Sequence, residues 1–148
     1  FSEAVAGASF ALLFGTGALT KPVAGEVSDR YPRLLVGAAG LTLATAGVAL
    51  ILVAPTLPVV AIGTVLTAVG YKTQFPIADT VVMDTAPEGA MGSDIGAARA
   101  VFLTANAIGP GVVGVIAEFT NFETAFWVLV ASLLVSVGLL GRQYLRKR

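Results

Sequence analysis

Lys72, Gln74 and Asp79 fall in a stretch otherwise made of Tyr, Phe, Thr, Pro, Ile and Ala, and Arg99 and Asn106 follow in a second apolar stretch. The chain has no His and no Cys. That removes thiol chemistry, disulfides, most zinc sites and the usual neutral-pH proton shuttle. No phosphate-binding glycine loop, metal-ligand cluster or nucleophile–base arrangement is visible, so neither a cofactor nor enzymatic activity is expected. The chemistry left to Lys72 and Asp79 is electrostatic: contact with a polar or charged solute, or relay of protons. Seven residues separate the two, so on a helix they share a face about 10 Å apart along the axis, too far for a direct salt bridge. Each is expected to pair with a neighbouring helix or with another part of the protein. Two roles fit them, a pair on a cavity wall or buried charges that only fix helix packing. Pro76 removes one helix hydrogen bond, that of the Lys72 carbonyl, and predicts a kink there.

The surrounding sequence dictates where such residues sit. Of the 148 residues, 56% are hydrophobic and 12% charged, with mean hydropathy +0.88. A soluble domain carries about 25% charged residues, so the composition points to an all-α, polytopic membrane helix bundle. Five runs approach the roughly 20 apolar residues that a span needs, at about 4–24, 34–54, 59–82, 95–117 and 124–141. Net charge is zero, which gives no field to select nucleic acid. Residue 1 is Phe, which suggests a piece of a longer chain.

Lys and Arg set the orientation. With five spans, Lys21, Arg30, Arg33, Arg99, Arg142, Arg146, Lys147 and Arg148 fall on one side, and the loops 55–58 and 118–123 contain none. By the positive-inside rule the basic side is cytoplasmic, and the C-terminus with it. Lys72, the ninth basic residue, lies inside a span, where a charge costs about 2.5–3.5 kcal/mol on insertion scales. Spans one, three and four hold the other intramembrane polar groups and are expected to face protein or a water-filled cavity. Spans two and five are almost wholly Leu, Val, Ala and Gly and suit a broad lipid contact. Segment 25–33 reads as a charged turn between spans one and two, and Ser93 or Asp94 as a cap for the fourth helix. Asn106 and the glycines around Pro110 read either as helix-packing positions or as part of a gate.

Two segments resemble motifs of major facilitator superfamily transporters. Gly25, Asp29 and Arg30 match the signature Gly-x-x-x-Asp-Arg-x-Gly-Arg-Arg at the right spacing, with Arg33 on the first closing arginine and Pro32 in place of the second Gly. Further on, Gly109, Pro110 and Gly114 resemble the family's Gly-Pro-x-x-Gly-Gly helix motif, with one closing Gly absent. The resemblance implies a twelve-helix fold whose two halves rock around a central site, moving a small-molecule solute, with protons as a possible coupling ion. Leu66 stands four residues before Gly70, where helix four of the family carries an Arg, and the loop signature is decayed. The chain is therefore expected to be helices eight to twelve, partnered by an absent N-terminal half. The resemblance makes Lys72 and Asp79 cavity candidates; Gln74 and Asn106, polar residues of the inner spans, are counted with them, and Pro76, Gly109, Pro110 and Gly114 are expected at kinks or helix interfaces. It also implies a conformational latch in which Asp29 meets the helix start at 93–96 and Arg30 or Arg33 meets Asp84. A non-transporting membrane scaffold or receptor is the competing reading.

Overall fold

The computed structural model describes residues 2–85, 87 and 91–146. They form five α-helices: α1 (Glu3–Arg30), α2 (Arg33–Leu52), α3 (Leu57–Thr85), α4 (Met91–Phe119) and α5 (Phe122–Arg146). Among the described residues there is no strand. Four of the helices are long and apolar enough to cross a membrane. The fifth, α3, has 29 residues and so a length of about 43 Å, but Lys72 and Gln74 dilute its hydropathy. α3 packs against α1, α2 and α4; α2 also packs against α5, and α4 against α5. Helices α2, α3, α4 and α5 thus contact one another in a closed cycle, and α1 packs on α3 and, to a lesser extent, on α2.

Several boundaries differ from those expected. Segment 25–33 is not a loop: α1 continues through Gly25, Asp29 and Arg30 and stops only at Tyr31. No residue before Pro32 forces the helix to end, whereas a proline disfavours helical geometry in the residue before it. Tyr31 accordingly has φ −125° and ψ 158°. Ser93 and Asp94 lie inside α4 rather than before it, and Asp94 is the acidic residue of the first turn, where it complements the helix dipole. α5 begins with a cap that was not anticipated, in which Asn121 Oδ1 accepts the Thr124 backbone N–H at 2.7 Å. The helices pass without interruption through Pro22, Pro76 and Pro110.

The core is made of small residues. Ala24, Ala44, Ala68, Ala125, Val130 and Ile77 are its buried apolar members, and among the described residues no large side chain is fully buried. Membrane helices gain little by burying one apolar side chain against another instead of lipid, so close backbone packing holds them together. The tightest seam joins α2 and α3. A Cβ on Gly70 would lie 2.3 Å from the Ala44 nitrogen and 2.3 Å from the Gly40 carbonyl oxygen, and one on Gly47 would lie 2.6 Å from the Gly63 carbonyl oxygen. Gly40 and Gly70, and Gly47 and Gly63, are therefore opposing pairs along two antiparallel helices.

This seam alters the expected division into inner and outer helices. α2 buries Gly37, Gly40, Ala44, Thr45 and Gly47 and contributes more to the core than α4, which has no buried residue. The glycines of α2 let it approach closely, and helix packing follows that geometry rather than polarity. One polar bond reinforces the seam: Gln74 Nε2 donates to the Gly37 carbonyl at 3.0 Å. Such bonds average about 0.6 kcal/mol in membrane bundles, so Gln74→Leu is expected to lower stability by less than about 1 kcal/mol in a thermal melt.

Candidate functional site

Of the four charged residues within the spans, Lys21, Lys72, Asp79 and Arg99, α3 carries two, and the acid and the lysines take different partners. Asp79 faces α4, where Arg99 Nη2 lies 3.6 Å from its Oδ2. The pair is half open, with 67% of the Arg99 side chain and 46% of the Asp79 side chain exposed. It sits in the wall of a cavity of about 370 Å³ between α3 and α4. Gln74, Phe75, Phe102 and Leu103 are among its other lining residues, which makes an apolar space with a charged end. Phe75 and Phe102 meet edge to face across it, with centroids 5.0 Å apart.

Lys72 points elsewhere. Its ammonium lies 4.9 Å from the Tyr71 ring centroid, 5.1 Å from that of Phe14 on α1, and 5.3 Å from that of Phe75. Tyr71 and Phe75 are one helical turn apart and themselves pack edge to face at 5.2 Å. The stem of Lys72 crosses α1 at Gly17, where an added Cβ would come within 2.7 Å of Lys72 Cγ and 2.8 Å of Cε. Gly17 is therefore the slot that lets the lysine reach its aromatic box. A cation over an aromatic face gains about 0.5–2 kcal/mol, against the 2.5–3.5 kcal/mol or so that the charge costs near the bilayer centre. Three rings offset much of that cost without placing a negative charge beside the ammonium. Lys21 of α1 reaches the same ring, its Nζ 5.2 Å from the Phe75 centroid. Among the described residues, neither lysine forms a salt bridge.

The remaining candidates are more dispersed. Asn106 is exposed and spends its amide on the Phe102 carbonyl of its own helix, at 2.9 Å. An added Cβ at Gly109, Gly111 or Gly114 would meet nothing within 4 Å, so no other helix of this chain packs on the motif around Pro110.

At the opposite end of α3 from its start at Leu57, Arg33 donates to Asp84. Arg33, at the start of α2, is the more covered partner, 31% exposed against 58% for Asp84. A cleft of about 380 Å³ lies beside them, lined also by Pro32, Tyr144 and Gln143. Of the two arginines considered for Asp84, it is Arg33 that reaches it. Arg30 bonds instead to Glu26 on its own helix at 2.6 Å, and Asp29 is exposed. Exposed pairs are worth about 0–1 kcal/mol. Asp84→Asn is therefore expected to lower the thermal stability of the full-length protein by less than about 1 kcal/mol, and Arg33→Gln in that background to add nothing further. Additive losses from the two substitutions would show that the contact carries no coupling.

The sequence reading did not pick out Phe14, Gly17, Tyr71, Phe75 or Phe102. Phe75, three residues after Lys72, was the available signal, since residues three apart are neighbours on a helix, and Tyr71 pairs with Phe75 at i,i+4. Nothing local points to Gly17 or Phe14, which reach Lys72 from another helix.

Comparison with known proteins follows this geometry. The family described as Major Facilitator Superfamily matches residues 1–147. Two curated relatives, each called Lincomycin resistance protein LmrB, come from Listeria monocytogenes and Listeria innocua. Each is 25% identical over 125 residues, which is 84% of this chain and 26% of the relative. The chain thus spans about a quarter of the length of these relatives. No solved structure matches it.

Proposed function

This chain belongs to the major facilitator superfamily, and from that premise we propose that it is part of a secondary active transporter, moving a small solute by alternating access with coupling to an ion or proton gradient. The observation that carries the reading is the α3–α4 cavity, in which Asp79, Arg99 and Gln74 share the wall with Phe75 and Phe102. Ionisable groups inside a membrane bundle are costly, and they mark solute and ion pathways. The five helices are read as the last five of twelve, supported by Leu66 in place of an Arg and by the decayed signature at Pro32. The basic residues on one side support a cytoplasmic C-terminus, in a cell membrane. The names of the two Listeria relatives favour a drug-sized organic solute. The Arg33–Asp84 contact fits a latch that biases one conformation by a few kcal/mol at most.

Reconstitution of the full-length protein into proteoliposomes tests the reading. Across a panel of drug-sized organic solutes of both charges, lincomycin included, at least one is expected to move above background under an imposed proton or sodium gradient, and to stop when the gradient is collapsed. Background flux under every gradient would overturn transport and leave a scaffold or receptor role.

A further inference from the structure

Two cations converge on one aromatic ring in this bundle. Lys21 Nζ is 5.2 Å and Lys72 Nζ 5.3 Å from the centroid of Phe75, so the ammonium groups are no further apart than these two distances combined. They arrive from different helices, α1 and α3. Like charges so placed repel each other, and rings that attract each of them do not cancel that repulsion. The nearby acid is already engaged, since Asp79 faces Arg99. The two other ion pairs of the described residues, Arg30–Glu26 and Arg33–Asp84, leave Lys21 and Lys72 out as well. The sequence nevertheless makes room for this arrangement: Gly17 is where the Lys72 stem passes, and any side chain there would displace it. Phe75 also connects the lysines to the α3–α4 cavity, because its ring lines that space beside Phe102.

We propose that Lys21 and Lys72, held at Phe75 with no carboxylate of the described residues paired to either, form the binding site for an oxyanion, a carboxylate or phosphate group carried by an aromatic or otherwise apolar solute. The inference rests on the transport reading and names the solute class for it. The anion supplies the negative charge that the two ammonium groups lack. The apolar remainder of the solute lies against Phe75 and Phe102 and extends into the cavity. A carboxylate that reaches either ammonium group forms short charge-assisted hydrogen bonds and is attracted by the second charge, which a neutral amide or an amine cannot reproduce.

The test uses the full-length protein in nanodiscs of phosphatidylcholine, which has no net charge, so that no anionic lipid headgroup competes. Thermal unfolding is followed with three probes of one scaffold: 3-phenylpropanoate, 3-phenylpropanamide and 3-phenylpropylamine. The carboxylate alone is expected to raise the unfolding midpoint. Its dissociation constant is expected to rise at least tenfold in Lys72→Gln and in Lys21→Gln, while the ligand-free midpoints show that both variants fold. Repeating the melts with phosphatidylglycerol in the nanodiscs identifies the source of the anion. A carboxylate shift retained there supports a solute site, and a shift abolished there assigns the lysines to lipid and overturns the proposal. Stabilisation by the amine or the amide to the same degree overturns it, as does a carboxylate effect unchanged in both variants or the absence of any shift. Gradient-driven flux of a cationic or neutral solute in the proteoliposome assay, with no carboxylate binding, would defeat the anion site while leaving transport standing.

Discussion

Replacing Gly70 with Ala is expected to destabilise the full-length protein by about 1–3 kcal/mol, the usual cost of overfilling a packed interior, and Gly70→Val by more. The expectation runs against intrinsic propensity, because Ala is the better helix former by about 1 kcal/mol. Geometry decides the sign. The new Cβ would lie 2.3 Å from the Ala44 nitrogen and 2.3 Å from the Gly40 oxygen. Both are backbone atoms that cannot rotate away, so α2 and α3 have to separate along the seam that carries most of the core. Gly138→Ala is the control, since a Cβ there meets nothing within 4 Å, and it is expected to be neutral or slightly stabilising. Thermal midpoints from fluorescence-detected size exclusion read both. A Gly70→Ala protein melting at or above the unmodified one would show that the seam is looser than these distances imply.

The second large effect is on activity. Lys72→Ala is expected to reduce gradient-driven flux on the order of ten- to a hundredfold, as loss of one charged hydrogen bond worth about 1.5–3 kcal/mol implies. Its stability should change little, because the cation–π attraction removed and the charge penalty relieved are of similar size and opposite sign. Gly17→Ala sharpens the test. The three atoms nearest the added methyl all belong to the lysine stem, Cγ at 2.7 Å and Cε at 2.8 Å among them, and a flexible side chain can swing aside at low cost. The substitution should therefore displace Lys72 from its box, lowering flux while leaving the thermal midpoint nearly unchanged. In a Lys72→Ala background there is no stem to displace, so Gly17→Ala should be silent. Additive losses in flux from the two substitutions would show that Gly17 acts independently of the lysine.

Much of the architecture was legible because hydropathy and charge act locally. A run of some 20 apolar residues favours a helix across the bilayer whatever surrounds it, and four of the five helices are long and apolar enough for that. The turn at Tyr31 follows from its neighbour Pro32, and the isolation of Lys72 inside a span follows from the apolar residues around it. The extension of α1 through Arg30 was less legible. Charge suggested a loop, yet polar side chains at a helix end can project into water while the backbone remains helical.

Pairings are a different matter. The residues by themselves determined that Lys72, Asp79, Arg99, Arg33 and Asp84 would each need a partner; only for Asp84 did the family resemblance narrow the choice, to Arg30 or Arg33. Arg33 and Asp84 are 51 positions apart, and only the antiparallel packing of α2 on α3 brings them together. The same packing sorts the glycines. Gly70 is sealed against backbone while Gly114, in a more recognisable motif, faces open space. Tyr71 and Phe75 reach Lys72 from its own helix, but the third ring, Phe14, arrives only because α1 crosses α3 at Gly17, a contact between distant segments that no local pattern encodes. Spans and charges were fixed by transfer from water to lipid, a property of each segment alone. Partners were fixed by how closely two backbones approach, a property of the assembled bundle.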